Sequence, residues 1–185
     1  MLVATPKGRD KQALPNLRPI YSPNQTAPIY REESQSTLQW VDMTKIENII
    51  EDFEFLDDWE DKYRYVIELA RDLEPYPDEL RNDQTKVLGC VSQVWLTTNV
   101  EEKGDDKTPI IKFIGDSDAM IVKGLIAILL SVYSGKTARQ IVDIDIHAIL
   151  ANLQLNDHLT PQRSNGLASM VKRIRADANA ALADA

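Results

Sequence analysis

The chain has 185 residues, of which 43% are hydrophobic and 27% are charged, and its formal net charge is −8 at pH 7. The length and composition are typical of about one globular domain, and the acidic net charge argues against non-specific binding of nucleic acid and against docking to an anionic membrane. Because the longest apolar run, residues 125–133, is too short to span a bilayer and no signal-peptide core lies near the N-terminus, we expect a cytoplasmic protein.

Residues 1–42 hold five of the nine prolines and show neither a helical nor a strand period. We expect a disordered N-terminal extension, because too little apolar surface is available to offset the entropy lost on ordering. Two alternatives stay open: a targeting segment, or translated upstream sequence if Met43 is the natural start. Residues 43–185 are predicted to form the folded domain.

The first predicted helix begins at a capping-box pattern, Thr44–Glu47, and its apolar spacing reaches Phe53. A second helix is predicted to begin near Asp57 and to end before Pro75, since proline cannot continue a helix. Residues 74–86 contain Pro, Asp, Asn and Gln without any period, which is typical of a loop.

Two segments rich in β-branched and aromatic residues, 87–98 and 109–114, are predicted to form the strands of a hairpin around Gly104. The wide apolar stripe of residues 120–132 predicts a long, mostly buried helix. Gly135 is expected to end it, since glycine readily adopts the left-handed conformation found after a helix.

Thr137 is predicted to cap a short helix, and residues 143–159 to contain a further short helical segment. Thr160 followed by Pro161 is a typical start for the last helix. Helices and strands in separate runs favour an α+β fold, in which helices cover a small antiparallel sheet. A third strand could lie in the loops.

The chain has one cysteine, Cys90, which excludes an internal disulfide and a zinc or iron–sulfur site built from its own thiolates. A lone cysteine is most often a buried, inert residue. However, Gly89 predicts a bend, and the preceding loop places Cys90 near a loop–strand junction, where reactive groups are common. An apolar surrounding would raise the pKa of the thiol and keep it unreactive until a partner reaches it.

Arg163 falls in the first turn of the last predicted helix, where a cation opposes the helix dipole. It is either a solvated surface arginine or part of a site for an anion or a carboxylate partner. Residues 43–86 carry fourteen acidic and six basic side chains. Such a run is usually a solvated face, although it could also steer the chain toward a basic partner.

Asp116 and Asp118 are spaced as a metal pair or an acid–base pair could be, but capping of the following helix is sufficient to explain them. His147 and His158 lie in different segments without ligand spacing. We interpret both histidines as structural residues, and we expect no metal site.

The segment VLGCVSQVW, residues 87–95, resembles the G-C-x-S-x-V-W signature of the SufE family of sulfur-acceptor proteins. Three further blocks are similar to the same family in the same order, namely residues 53–73, 115–137 and 159–174. The resemblance extends from Met43 to about Ala178, so it covers nearly all of the predicted domain.

This resemblance implies an α+β fold similar to that of the iron–sulfur scaffold IscU. It implies that Cys90 takes the terminal sulfur of a persulfide on a SufS-type cysteine desulfurase and passes it to an iron–sulfur scaffold complex. The chain itself would need no cofactor, because the desulfurase carries the pyridoxal phosphate. The residues then expected to contact the partner are Gly89, Val91, Ser92, Gln93, Asp116, Asp118 and Arg163.

Three hypotheses follow for the chain. It is a sulfur-relay protein that stimulates the desulfurase, an interaction domain in which Cys90 is inert, or an independent thiol enzyme. Sulfur transfer needs only one cysteine, since the second sulfur belongs to the partner. A thiol enzyme would need a base near Cys90, for which only His147 and His158 offer an imidazole. The oligomeric state, including a homodimer, stays open.

Overall fold

A computed structural model describes residues 34–101 and 108–184 of the protein. Residues 34–42, which the sequence analysis assigns to the extension, form the start of a helix. The predicted disorder of residues 1–33 lies outside the described residues, as does the predicted turn at Gly104.

The described part consists of seven α-helices, three strands and two short 3₁₀ turns. In chain order they are α1 (Ser34–Phe55), α2 (Trp59–Leu69), the 3₁₀ turns Ala70–Asp72 and Asp78–Leu80, β1 (Val94–Glu101), β2 (Ile110–Ser117), α3 (Met120–Tyr133), β3 (Lys136–Thr137), α4 (Ala138–Asp143), α5 (Ile146–Asn152), α6 (Leu155–His158) and α7 (Pro161–Ala183).

The three strands form one antiparallel sheet in the order β1-β2-β3. Val94 of β1 lies opposite Ser117 of β2, and Ile110 of β2 pairs with Thr137 of the two-residue strand β3. The predicted α+β class is therefore confirmed, and the third strand is the short segment that follows Gly135.

The apolar core is built around α3, ten of whose fourteen residues are buried. This helix packs between the sheet and helices α1, α2 and α7, so few of its side chains are exposed to solvent. Gly124 allows α2 to pass very close, since a β-carbon at this position would lie 1.8 Å from the carbonyl oxygen of Val66. Burial of this continuous apolar cluster is the main stabilising contribution to the domain.

Several predicted helix ends are confirmed. Gly135 follows the C-cap of α3, Ser134, and has a φ of +79°, as a left-handed helix stop requires. Thr137 caps α4 in a full capping box with Gln140, and Pro161 is the first residue of α7. The predicted start of α1 at Thr44 is wrong, because the helix already begins at Ser34 and continues through the capping-box pattern.

The predicted strand 87–98 is wrong over its first half. The strand begins at Val94, and residues 87–93 form a loop whose flanking residues, Lys86 and Trp95, pair in an isolated bridge. The reason is backbone conformation: Gly89 has a φ of +92°, which interrupts an extended chain. Cys90 therefore lies in a loop and not in a strand.

Candidate functional site

The Cys90 loop, residues 88–92, is closed at its base by a backbone hydrogen bond. The amide of Val87 donates a hydrogen bond to the carbonyl of Val94 at 2.8 Å, which joins the two ends of the loop. The turn at Gly89 then directs the loop onto α7, where a β-carbon at Gly89 would lie 2.6 Å from Ser169 Oγ. The glycine is required by both its positive φ and this close approach.

The Cys90 side chain is half-buried against α7. Its thiol donates a weak hydrogen bond to the carbonyl oxygen of Gly166, with an S···O distance of 3.6 Å. Gly166 leaves space for the sulfur, since a β-carbon there would come within 3.3 Å of it. Burial raises the pKa of the Cys90 thiol above its ordinary value, so the thiol is protonated at neutral pH.

The sulfur opens onto a cavity of about 350 Å³ between the loop, α3 and the first turns of α7. Val122 and Leu125 of α3 and Met170 of α7 form an apolar wall. Arg163 lines the same cavity, and its guanidinium carbon lies 5.7 Å from the ring centroid of Tyr63. The structure thus brings Arg163, which is 73 positions away in the sequence, to the cavity of Cys90.

No imidazole or carboxylate is among the described residues that line this cavity. His158 stacks on Trp59 with ring centroids 4.1 Å apart, and His147 lines a different cavity. Neither histidine is placed as a base for Cys90, which removes the support for an independent thiol enzyme.

Gln93, at the end of the loop, is held to the β2–α3 junction through both its backbone amide and its backbone carbonyl. Its amide donates to Asp118 Oδ1 at 2.9 Å, and its carbonyl accepts a hydrogen bond from Ser117 Oγ at 2.7 Å. Asp118 is therefore a clamp for the Cys90 loop. Its predicted role as an N-cap is wrong, because the N-cap of α3 is Ala119, which makes no side-chain cap bond.

Asp116 is also not a helix cap. It lies in β2, is 7% exposed, and forms ion pairs with Arg81 at 2.8 Å and with Lys123 at 2.7 Å. Although burial alone would raise its pKa, hydrogen bonds from Lys123 and Arg81 lower the pKa below its ordinary value. Asp116 thus remains ionised and ties the loop before Cys90 to the start of α3.

Two large apolar side chains beside Cys90 are open to solvent. Leu88 is 81% exposed and Val91 is 82% exposed, and Met120 at the start of α3 is 48% exposed. Sequence analysis missed Leu88 because the segment resembled a strand, and it placed Met120 on the buried stripe. Gly89 is the sequence signal that could have revealed the exposure of Leu88, because a glycine here interrupts the strand pattern between Val87 and Cys90. Large apolar side chains that are exposed on one loop are typical of a surface that a partner covers.

In the part of the chain that the structure describes, no group of three or more His, Cys, Asp or Glu side chains is arranged to hold a metal ion. None of the helices in that part combines the length and the apolar character needed to cross a membrane.

Comparison with known proteins decides the family. Residues 47–178 match the family model SufE, described as an Fe-S metabolism associated domain. The chain belongs to the SufE family. This membership associates it with iron–sulfur metabolism and confirms the resemblance found in the sequence.

SufE-like proteins from two rhizobia are close relatives. An uncharacterized SufE-like protein of Rhizobium etli is 54% identical over 136 residues, which are 74% of this chain and 90% of the relative. Another from Rhizobium meliloti is 49% identical over 140 residues, 76% of this chain and 99% of the relative. The solution structure of a hypothetical protein from Thermus thermophilus has a TM-score of 0.59 and 20% identity, and covers 75% of this chain and 96% of that one. This likeness shows the fold alone.

Proposed function

We propose that this SufE-family protein is a sulfur acceptor for a SufS-type cysteine desulfurase, with Cys90 as the acceptor atom. The observation that carries the proposal is the placement of the only cysteine in the chain on a projecting loop, half-buried over a cavity that Arg163 lines. A cysteine that only filled the core would have no need of a loop, a cavity or a cation.

The proposed reaction is a thiol exchange. The Cys90 thiolate attacks the terminal sulfur of the desulfurase persulfide, and the bond between the two sulfurs of that persulfide breaks. The terminal sulfur leaves bonded to Cys90, and the desulfurase cysteine departs as a thiolate that takes up the proton Cys90 has lost. One sulfur–sulfur bond forms as one breaks, so no external oxidant or reductant is needed.

The electrostatics of the cavity suit a thiol that stays protonated until the desulfurase binds. A thiol whose pKa is raised by burial resists oxidation in the free protein. Arg163 is the cationic side chain among the cavity-lining residues, and we assign to it the stabilisation of the Cys90 thiolate and of the persulfide anion that replaces it.

The exposed side chains Leu88 and Val91 flank Cys90 and are assigned to the desulfurase interface. Their burial on docking would remove apolar surface from water and bring the two sulfurs together. From Cys90 the sulfur passes to an iron–sulfur scaffold complex, and we place this relay in the cytoplasm.

Mass spectrometry of the Cys90 peptide tests the proposal after the chain is incubated with a SufS-type desulfurase and cysteine. We expect the peptide to gain one sulfur atom, which a thiol reductant removes. The Cys90→Ser variant should gain none and should not raise desulfurase turnover. An unmodified Cys90 peptide, together with full stimulation by Cys90→Ser, would instead favour an interaction domain with an inert cysteine.

A further inference from the structure

A second cavity, of about 490 Å³, lies between α5 and α7, apart from Cys90. We name it the α5–α7 cavity. Its volume falls within the range of roughly 300–1,000 Å³ typical of small-molecule sites. Its wall is apolar and comes from both helices and from the segment between them: Ile146 and Leu150 of α5, Leu159, and Val171 of α7.

The polar groups that line the α5–α7 cavity are cationic or neutral. Lys172 and Arg175 contribute positive charge, and His147 and Asn179 contribute further polar atoms. No carboxylate is among the described residues that line it, although the whole chain carries a net charge of −8. Neither Lys172 nor Arg175 forms an ion pair with an acidic side chain of the described residues, whereas neighbouring Arg173 pairs with Asp177 at 2.9 Å.

Arg175 is held in place by neutral partners and not by an acidic side chain of the described residues. Its Nη2 donates to the carbonyl of Ile144 at 2.6 Å, which fixes the guanidinium beside α5. The guanidinium also interacts with the hydroxyl of buried Tyr133, which is a neutral group. A half-buried guanidinium without a counter-anion favours binding of one, since pairing offsets the loss of its hydration.

We propose that the α5–α7 cavity binds a small amphipathic carboxylate, with its apolar body between α5 and α7 and its carboxylate near Lys172 and Arg175. The apolar wall requires a hydrocarbon or aryl body, and the cations require one anionic head group. A carboxylate matches the planar donor pair of a guanidinium. This site is independent of sulfur transfer, because Cys90 is not among its lining residues.

Titration of the full chain by NMR tests the site with three probes that share one tail: octanoate, octanol and octylammonium. We expect octanoate to shift the amide signals of α5 and α7 and to bind about tenfold or more tightly than octanol, because the cations contribute charge-assisted hydrogen bonds. Octylammonium should not bind. Equal affinity for octanoate and octanol, or no octanoate binding at millimolar concentration, would overturn the proposal.

Variants at exposed positions keep the test independent of folding. Ala168→Trp fills the cavity and should abolish octanoate binding, and Lys172→Gln should weaken it about threefold. Arg139→Gln removes the same charge from an exposed position of α4, outside the cavity, and should leave the affinity unchanged. Octanoate binding that is unaffected by Ala168→Trp contradicts the site. Cys90→Ser should bind octanoate like the parent chain, so the sulfur-transfer proposal can fail without affecting this one.

Discussion

The Cys90 thiol is half-buried, because its loop leaves one side of the sulfur open to a cavity while α7 covers the other. Burial raises the pKa of this thiol, so the folded state holds the proton more tightly than the unfolded chain does. The contribution of this proton to stability is complete below the unfolded pKa and is lost as the pH rises through the folded pKa.

Alkylation of Cys90 by iodoacetamide should therefore be slower in the native protein than in the urea-denatured protein at pH 8. The pH at which the rate is half-maximal should be higher for the native protein, because only the thiolate reacts. Since the chain has one cysteine, the loss of free thiol reports Cys90 alone. A native midpoint equal to or below the denatured one would contradict the assigned environment.

Asp116 lies at a second critical position, between Arg81 and Lys123. Asp116→Asn should lower the free energy of unfolding by about 2 kcal/mol near neutral pH, because two partly buried cations lose their counter-charge. Because the pKa of Asp116 is lowered by folding, the difference between parent and variant should be complete above the ordinary pKa of an aspartate carboxyl and should shrink as the pH falls through the lower folded-state pKa.

Denaturant unfolding as a function of pH measures this effect of Asp116→Asn. Asp83→Asn is a matched control, since that carboxylate is exposed. A constant difference between parent and Asp116→Asn at all pH values would show that the ion pairs are not its cause.

Among the helices, the crossing of α2 and α3 places the tightest requirement on the sequence. Gly124→Ala should destabilise the fold by about 3 kcal/mol, because its β-carbon would lie 1.8 Å from the carbonyl oxygen of Val66. Intrinsic helix propensity acts in the opposite direction, since alanine is favoured over glycine by about 1 kcal/mol.

Gly166→Ala, also in a helix, is the matched control for Gly124→Ala. Its β-carbon would meet nothing closer than 3.3 Å, so we expect a much smaller change in the denaturation midpoint. If both variants behaved alike, the close crossing of α2 and α3 would not be a determinant of stability.

Helical periodicity predicted α2, α3 and α7, the last with Pro161 as a start signal, whereas the capping residue Thr137 predicted the short helix α4. The strand prediction failed at residues 87–93, because their β-branched residues are typical of a strand but Gly89 turns the chain. The prediction that Asp116 and Asp118 cap α3 was also wrong. Helix capping is a local pattern, whereas their actual partners, Arg81 and Gln93, are 35 and 25 positions away.

The cavity that Cys90 and Arg163 share could not be predicted from the spacing of residues in the sequence, because α7 reaches the Cys90 loop only through the tertiary fold. Arg163 and Cys90 were connected in advance by the family resemblance, and the shared cavity is what the structure adds. The exposed side chains of the loop depend on the same packing, since Val87 is buried at the base of the loop whereas Leu88 and Val91, on either side of the Gly89–Cys90 turn, are exposed.

Assembly with the desulfurase should depend on these exposed side chains. Leu88→Ser and Val91→Ser should each weaken the complex by about tenfold, because each loses an apolar group that docking would bury. Their free energies of unfolding should stay within about 0.5 kcal/mol of the parent, as for most surface substitutions. Phe55→Ser removes an 85% exposed side chain outside the loop and should not affect binding. An equal loss of affinity in all three variants would argue against a specific interface at the loop.

The most direct measurement is single-turnover transfer from a desulfurase loaded with ³⁵S persulfide and freed of cysteine. On mixing with this chain, the label should move from the desulfurase to Cys90 in at most equimolar amount and should be released by a thiol reductant. The Cys90→Ser variant should leave the label where it was. Retention of the label on the desulfurase in the presence of the parent chain, or equal transfer to Cys90→Ser, would contradict Cys90 as the sulfur acceptor.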